Sequence, residues 1–506
     1  MVSMRVALRG SSVLLAAALA SAPSAPRAAT VPVCQGGRFH CGAVKIVAAP
    51  PPAGTQAAPP AGFGAADIAA AYNLDITRAS KVTVAVISAY GYPAVETDLA
   101  AYRTQYGLPA CTIASGCLTV VNQEGKTSPL PSPPPANNDW TVSAALELDM
   151  VSAACPSCKL LLVEANDDQG DGLLTNQAIA AGLGATVIDN EWGSAEDANT
   201  PASDASFNLP GVSVLAEAGF GYDSGPGPIF PASSEYVIGV SNSHLVKDLG
   251  TTRGWTETAN NDSGSLCSTN IAMPAYQQQI VTNCAKRAGA DVAAVGAGDS
   301  PVLVYNQGSG GLTPIAGGAT GVAAGIVALE GRAGVGPGFF YQNAQLLYDI
   351  TSGTDGTCGN VLCIAATGWD GPTGNGALNG HALASASPPD AGTPADGGHP
   401  TGTGGAAGAT AGTGGNAGSS GGAAGSSGGA AGGGGMAGAA GGHATAGTGG
   451  AGGSTNAGTA GTSGPTKAGG SSGCGCAVGP EQGSPRGLVL LALTATTLVL
   501  RRRRRR

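Results

Sequence analysis

The apolar positions of the chain fall into short continuous runs that alternate with longer helical segments. The helical segments are predicted at residues 95–106, 140–154 and 173–183. Short apolar, strand-like runs occupy residues 82–87, 160–163, 186–188, 212–215 and 236–240. Because short, fully apolar strands separated by helices are typical of parallel sheets, the pattern predicts an α/β fold with a parallel sheet covered by helices on both faces. A functional site is then expected at the carboxyl ends of the strands.

This alternation extends over residues 62–384, which can bury a large core as a single domain. From residue 385 to residue 473 the chain is almost entirely Gly, Ala, Ser and Thr, and 85 of the 506 residues are glycine. Such a segment cannot bury enough apolar surface to offset the entropy of ordering, so we predict a flexible stalk. The formal net charge of -9 argues against nucleic acid as a partner.

The first 29 residues predict export from the cell. Arg5 and Arg9 precede an apolar run at residues 13–20 and several alanines, as in a secretory signal peptide. An uncleaved anchor is the alternative, although the run is too short to span a membrane comfortably. Residues 30–61 form a short segment before the predicted domain.

Export implies an oxidising compartment, in which cysteines are expected to form disulfides. Ten cysteines lie as close neighbours along the chain, in the pairs Cys34/Cys41, Cys111/Cys117, Cys155/Cys158, Cys267/Cys284 and Cys358/Cys363. We therefore predict local disulfides. The Cys-Pro-Ser-Cys unit at 155–158 is alternatively a redox or zinc half-site, but no second such unit or pair of histidines accompanies it.

The end of the chain, residues 474–506, predicts attachment to the cell envelope. It contains Cys474 and Cys476, a short apolar run at residues 488–500 and six consecutive arginines at residues 501–506. This tail resembles the MYXO-CTERM class of sorting signal, which directs proteins to the cell surface. A simple C-terminal membrane anchor is the alternative.

The predicted helix at residues 140–154 contains the candidate acid/base chemistry. Two carboxylates that relay a proton from one helix face must lie four residues apart. Glu147 and Asp149 are two residues apart and are expected to diverge. The stretch is typical of a peptidase helix that has lost its acid/base pair.

From Gly62 to Gly380 the sequence resembles the sedolisin (serine-carboxyl peptidase) family, whose fold is subtilisin-like. The matching stretches, in the family's order, are GFGAADIAAAYNLD, DLAAYRTQYGLPAC, LELDMVSAACPSCKLLLVEA, FPASSEYVIGV, YDITSGTDGTCG and ATGWDGPTGNG. The resemblance implies a Ser nucleophile, a Glu and an Asp in place of the histidine and aspartate of subtilisin, and an Asp that serves the oxyanion hole.

Three of those family positions are substituted in this chain. The family's Leu-Asp segment matches Leu146-Glu147, so Glu147 takes the Asp position and Ser143 takes the Glu position. A serine cannot act as a general base at neutral pH. If Asp149 is taken as the family Asp, the Glu position holds Ala145. The nucleophile motif matches residues 317–320, where Thr320 stands in place of the serine and its β-methyl restricts rotation.

The oxyanion aspartate has two candidate positions. Asp223 stands eight residues before Pro231, which is the spacing in the family, provided that this chain has three extra residues before Asp223. If the position is instead counted along the chain from Gly211 without an insertion, Phe220 occupies it. A solvated loop aspartate is the plain alternative for Asp223.

The resemblance also implies a calcium site near the end of the domain. Asp349, Ile350, Ala366, Gly368 and Asp370 match the family's two carboxylates and backbone carbonyls. Oxygen ligands without Cys or His suit Ca²⁺, so we expect this ion as the bound cation. Unliganded turn aspartates are the alternative.

Other sequence signals exclude further classes of site. The five histidines form no cluster with ligand spacing, and no lysine follows residues 317–320, so no nucleotide-binding phosphate loop is expected. About 30 residues precede Gly62 after the signal, too few for the family's folded inhibitory propeptide.

The sequence predicts a secreted, surface-displayed sedolisin-like domain on a stalk. The first hypothesis is a pseudopeptidase or strongly impaired endopeptidase that binds protein or peptide in its cleft. The second is an active acid endopeptidase with a rearranged set of catalytic residues, such as Thr320 with Glu147 and Asp223. The third is a structural surface module with a vestigial cleft.

Overall fold

The computed structural model describes residues 29–47, 61–219, 221–223, 227–264 and 266–386. All of them belong to the first of two compact units, which divide the chain after Gly405. The predicted sorting tail lies outside the described residues, as do the predicted signal peptide except for residue 29 and the predicted stalk except for residues 385 and 386. No helix within these ranges has the length and hydropathy needed to cross a membrane.

The strands of the described residues are β1 (Ala29–Pro32), β2 (His40–Cys41), β3 (Val44–Val47), β4 (Thr83–Ala89), β5 (Leu118–Asn122), β6 (Lys159–Ala165), β7 (Val187–Asn190), β8 (Trp192–Ala195), β9 (Ser213–Glu217), β10 (Ile229–Phe230), β11 (Val237–Lys247), β12 (Trp255–Thr258), β13 (Val292–Val295), β14 (Val302–Asn306), β15 (Gly311–Ala316), β16 (Leu347–Tyr348) and β17 (Ala377–Leu378). The α-helices are α1 (Ala65–Ala71), α2 (Val95–Gln105), α3 (Trp140–Ala154), α4 (Gly172–Gly182), α5 (Thr200–Asp204), α6 (Ala319–Leu329), α7 (Gly338–Gln342) and α8 (Gly380–Ser385).

A ten-stranded sheet forms the centre of the domain. Its order is β16-β17-β13-β11-β9-β7-β4-β6-β5, with β12 paired to β11. Every neighbouring pair from β17 to β5 is parallel, and only β12 and β16 join the sheet antiparallel. The helices flank this sheet: α6 packs against β7, β9, β11 and β13, and α4 packs against β4, β6 and β7. The predicted α/β class and parallel sheet are therefore confirmed.

The two central helices, α3 and α6, are apolar on all sides because both are buried. Every residue of α6 is buried, and α3 exposes none of its side chains appreciably. Glycines let the two helices approach closely, since a Cβ on Gly325 would lie 2.6 Å from the Cβ of Ala154. Gly321, in the first turn of α6, meets the middle of α3 in the same way, since a Cβ there would lie 2.7 Å from Oε2 of Glu147.

Two smaller sheets involve the residues that precede the main domain. The first is antiparallel, with the order β1-β3-β15-β14, and the second has the order β10-β8-β2. Through β2 and β3, the segment at residues 29–47 is part of the domain surface, although the sequence indicated only a short N-terminal segment there.

All five predicted disulfides are present, including the bond between Cys155 and Cys158. Because both sulfurs of that unit are bonded to each other, they offer no thiolate ligands, and the zinc half-site alternative for residues 155–158 is not observed. Each disulfide closes a short local loop of the chain.

Candidate active site

Four acidic side chains surround the first turn of α6. They are Glu147 in the middle of α3, Asp189 on β7, Glu191 between β7 and β8, and Glu217 at the end of β9, and we call them the carboxyl cluster. All four are buried. Because β7 and β9 are parallel neighbours, their carboxyl ends meet at one edge of the sheet, as expected for the site of an α/β domain.

The Thr320 hydroxyl lies between two members of this cluster. Its Oγ1 is hydrogen-bonded to the carboxyl groups of Glu191 and Glu147, with a distance of 3.3 Å to Oε2 of Glu147. A hydroxyl has a single proton, so it can donate to only one of these groups at a time. The second bond then requires a proton on the other carboxyl group.

The turn before α6 also holds Glu191. Gly317 and Gly318 both have positive φ angles, 106° and 80°, which favour glycine. The backbone N–H of Gly318 donates to Oε1 of Glu191 at 2.9 Å. A Cβ on Gly317 would lie 2.6 Å from the same oxygen, so a side chain there would displace Glu191.

Burial raises the pKa of every carboxyl in the cluster. Desolvation raises the pKa of Asp189 to about 7, and raises that of Glu191. Desolvation and the charges of Asp189 and Glu191 raise the pKa of Glu147 well above its usual range. Desolvation and the charge of Glu191 do the same for Glu217.

No lysine, arginine or histidine forms an ion pair with these four side chains in the described part of the chain. Without a cationic partner, several buried negative charges would repel one another strongly. The cluster is therefore expected to hold protons at neutral pH. A protonated carboxyl can donate a hydrogen bond but cannot accept the proton of Thr320.

The Thr320 hydroxyl has no access to solvent. Its residue is 0% exposed, and the backbone of Gly42 crosses the cluster between Glu191 and Glu217. The resulting arrangement is a buried hydroxyl with two carboxyl partners, one of which, Glu191, is also contacted by Gly42 of the chain's own N-terminal residues.

The structure separates the candidate residues of α3. Glu147 contacts Thr320, whereas the side chain of Asp149 accepts a hydrogen bond from the backbone N–H of Tyr305 at 2.9 Å. The two carboxylates diverge, as the sequence spacing predicts. Ser143 is buried on the same helix, and no hydrogen bond joins it to Thr320 or Glu147 within the described ranges.

Asp223 lies away from this group of contacts. It is exposed, and its Oδ2 accepts hydrogen bonds from the backbone N–H and the hydroxyl of Thr357, both at 2.7 Å. No described contact joins Asp223 to Thr320. Phe220, the other candidate for the oxyanion position, lies outside the described residues.

Asp189, Glu191 and Glu217 were not among the candidates from the sequence. Each is an acidic residue at the carboxyl end of an apolar strand or directly after it, in the stretches VIDNEW and VLAEA. Charged residues are rare in strands that are buried on both faces, so this pattern was an available signal. The family resemblance implies catalytic residues at other positions of the chain.

The expected calcium residues form a connected turn. Asp370 is fully buried, and its carboxylate accepts hydrogen bonds from the backbone N–H groups of Ala366 and Thr373 at 2.8 Å. Asp349 accepts one from the N–H of Gly368 at 3.0 Å. Burial is the main cause that raises the pKa of Asp370 to about 7, and the charge of Asp349 adds to the shift.

Two neighbouring carboxylates of which one is buried fit a hard cation, which would relieve their repulsion. Ile350, the third expected contributor, is buried beside Asp349 and would bind through its carbonyl. No group of three or more His, Cys, Asp or Glu side chains is arranged to hold a metal among the described residues. Any calcium site at this turn therefore depends on backbone carbonyls for most of its ligands.

The comparisons with known proteins concern the fold. No protein-family model matches the sequence, and no curated protein matches it. Among solved structures, Pseudomonas sedolisin, a serine-carboxyl proteinase complexed with two molecules of pseudo-iodotyrostatin, is similar with a TM-score of 0.54 and 22% identity over 65% of this chain and 98% of that chain.

Two further solved structures are more distant. Fervidolysin from Fervidobacterium pennivorans, a keratinolytic enzyme related to subtilisin, has a TM-score of 0.40 and 17% identity over 63% of this chain and 45% of its own. MycP1 from Mycobacterium smegmatis has a TM-score of 0.33 and 15% identity over 62% of this chain and 81% of its own. The likeness to sedolisin establishes a protease-like fold for the described domain.

Proposed function

We propose that this chain is a secreted peptidase homologue, displayed at the cell surface, which binds a protein or peptide in its cleft and cleaves it slowly or not at all. The observation that carries the proposal is the complete burial of Thr320, beside a carboxyl cluster that the chain's own Gly42 contacts. A nucleophile must come within about 3 to 3.5 Å of the carbonyl carbon that it attacks. A buried hydroxyl cannot do so unless the residues around it move.

The chemistry around Thr320 supports weak turnover for a second reason. A general base must accept the proton of the hydroxyl, and it works best when its pKa is close to the working pH. Burial and the charges of Asp189 and Glu191 raise the pKa of Glu147 well above its usual range, which favours the protonated form that cannot act as a base. Ser143, at the position implied for the family's Glu, cannot accept the proton at all.

The proposal is tested by peptide cleavage from about pH 3 to about pH 7, the range in which carboxyl groups change charge. We expect no detectable turnover by the full chain. Thr320→Ser alone should not restore activity, because Ser143 still provides no base. The combination Ser143→Glu, Glu147→Asp and Thr320→Ser has the best chance of restoring it.

A threonine-dependent acid peptidase is the second candidate, favoured by the contacts of Thr320. Its hydroxyl bonds to Glu147 and Glu191, and Asp189 lies close enough to Glu147 to shift its pKa. This hydroxyl-carboxyl-carboxyl series would relay a proton if the residues that bury Thr320 moved aside. Efficient cleavage by the unmodified chain that Thr320→Ala abolishes would establish this candidate instead.

Surface display is supported by the five disulfides, which suit an oxidising compartment. We propose that the tail with Cys474 and Cys476 is the sorting signal. Changing both cysteines to Ala should alter the processing of the chain or release it to another compartment. An unchanged location of the native protein would reduce the tail to a plain anchor.

A further inference from the structure

Residues 33–47, which we call the strap, cross the carboxyl cluster between two strands. On one side His40 and Cys41 of β2 pair antiparallel with Gly193 and Trp192 of β8. On the other side β3 pairs antiparallel with the last residues of β15. Glu191 directly precedes β8 and Gly317 directly follows β15, so both partner strands lead to the contacts of Thr320.

Gly42 is the point at which the strap touches the cluster. Its N–H donates to the carbonyl oxygen of Glu191 at 3.1 Å. A Cβ on Gly42 would overlap Oε2 of Glu217, so no side chain can occupy this space while Glu217 stays in place. The φ angle of Gly42 is not in the left-handed region, so the requirement for glycine at this position is one of space alone.

The strap is held on both sides of Gly42. Before it, the buried ring of Phe39 packs edge-to-face on Trp192, with 5.2 Å between the ring centroids. The N–H groups of Arg38 and Phe39 both donate to the carbonyl oxygen of Asp168 at 3.1 Å, and the Cys34–Cys41 disulfide closes this loop. After Gly42, Ala43 is also buried.

We propose that the groove between β8 and β15 is a binding site for an extended peptide, and that the strap is its resident ligand. The proposal rests on the cleft binding described under Proposed function and names what the cleft recognises. The preferred ligand pairs its backbone with β8, places an aromatic side chain on Trp192, and has a glycine three residues later, over Glu217. An external ligand must displace the strap.

Recognition of this kind depends mainly on the backbone. An extended peptide added to a strand edge gains main-chain hydrogen bonds that any sequence can make, while pockets for alternate side chains give specificity. The strap is tethered to the domain, so its effective concentration is on the order of millimolar. An external peptide therefore binds with an apparent affinity reduced by the small fraction of chains in which the groove is open.

The first experiment compares Gly42→Ala with the wild-type full chain. The probe is a synthetic, disulfide-closed peptide of residues 33–47, and binding is measured by fluorescence polarisation. Because the added methyl group clashes with Glu217, the variant should bind the probe at least about 10-fold more tightly, and its strap amides should exchange faster. Gly182→Ala is the matched control, since a Cβ there meets nothing within 4 Å. Equal binding and equal exchange in all three chains would overturn the proposal.

A second experiment covers the case in which Gly42→Ala does not fold. A protease recognition sequence is placed between residues 52 and 53 of the otherwise unchanged chain, and the purified protein is cut there. The 33–47 peptide should then exchange with the cut segment, whereas the same peptide with Gly42→Ala should bind at least about 10-fold more weakly. Equal binding of the two peptides, or binding of neither, would refute the proposal.

A further measurement distinguishes failure of the self-ligand proposal from failure of the general peptide binding described under Proposed function. A third probe, a mixture of unrelated peptides from digested casein, is added to the Gly42→Ala chain or, where it does not fold, to the cut chain. If the strap peptide binds and the mixture does not, the strap is a self-ligand while general peptide binding fails. If the uncut wild-type chain binds the mixture as tightly as the opened chain does, the groove is free and the self-ligand proposal fails.

Discussion

Thr320 combines features that conflict in a working nucleophile. Its hydroxyl has two carboxyl partners, as a relay requires, but burial raises the pKa of those partners and the residue itself is fully buried. A buried acid that keeps its proton stabilises the fold only while the proton stays bound. The arrangement therefore links the protonation of the site to the stability of the domain.

This linkage predicts that the domain becomes less stable as the pH rises. A carboxyl whose native pKa is raised contributes stability below its unfolded pKa, near 4, and loses it as the pH passes its native pKa, about 7 for Asp189. Between these values each retained proton should lower the unfolding free energy by about 1.4 kcal/mol per pH unit. Urea unfolding from about pH 5 to about pH 8 measures the slope.

The matched variant for this slope is Asp189→Asn, which should flatten it. Glu164 and Asp204 also have raised pKa values, about 7 and about 6, because of burial, so part of the slope should persist in the variant. Asp75 and Glu196 have lowered pKa values, so their ionisation raises the free energy of unfolding as the pH rises. This effect falls mainly below about pH 5, outside the measured range. Constant or rising stability across the measured range would contradict the linkage.

A second prediction concerns the hydroxyl itself. Thr320→Val keeps the shape of the side chain but leaves Glu191 and Glu147 without the hydroxyl that bonds to them. Removing one partner of a buried hydrogen bond costs about 1 to 3 kcal/mol, so the variant should unfold at a lower urea concentration. Thr175→Val, at an exposed position of α4, should change the midpoint little. An equal effect of both substitutions would show that Thr320 contributes only packing.

At the scale of elements, the contact between α3 and α6 positions the site. Gly321 and Gly325 lie on the face of α6 that meets α3, and a Cβ on Gly321 would lie 2.7 Å from Oε2 of Glu147. The glycines cost helix propensity, about 1 kcal/mol each relative to alanine. That cost is offset by the close approach that brings Glu147 to Thr320.

This balance predicts opposite outcomes for two Gly→Ala substitutions in helices. Gly182→Ala, near the exposed end of α4, should stabilise the domain by about 0.5 to 1 kcal/mol. Gly325→Ala should destabilise it by about 1 to 3 kcal/mol, because the new methyl would meet Ala154 at 2.6 Å. Denaturant unfolding of both variants tests the contact. Stabilisation by Gly325→Ala would mean that α3 and α6 can move apart freely.

The sequence predicted elements better than contacts between elements. Residues 140–154 are predicted as a helix and form α3 with those bounds, because fifteen residues without Gly or Pro are too long for a buried strand. The residues that contact Glu147 could not be predicted from the sequence in the same way. Spacing detects pairs on one helix, whereas Asp189 and Glu191 come from neighbouring strands that only the sheet order brings to α3. The strap was missed because its strands are two and four residues long and pair with distant segments.

At the scale of the whole molecule, loops with local disulfides surround a sheet of parallel strands. Each of the five disulfides joins cysteines that are at most 17 residues apart, so none of them links distant parts of the sheet. The domain core must therefore hold the long-range order by packing. A cation bound at the turn that contains Asp349 and Asp370 would join these two segments of the chain without a covalent bond.

The last prediction concerns calcium. Asp349 and Asp370 leave uncompensated negative charge when both are ionised, so a bound Ca²⁺ should stabilise the fold by mass action, by about 2.7 kcal/mol at 100 times its Kd. Asp370 must lose its proton to bind the ion, and its pKa is about 7. Calcium should therefore raise the Tm more above pH 7 than near pH 5.

Thermal unfolding in millimolar Ca²⁺ and in chelator, at both pH values, measures the difference. Asp370→Asn should remove it, and Asp197→Asn, an exposed loop carboxylate, should not. Equal Tm values with and without Ca²⁺ above pH 7 would show that these aspartates serve the turn alone, through the hydrogen bonds that they already accept from backbone N–H groups.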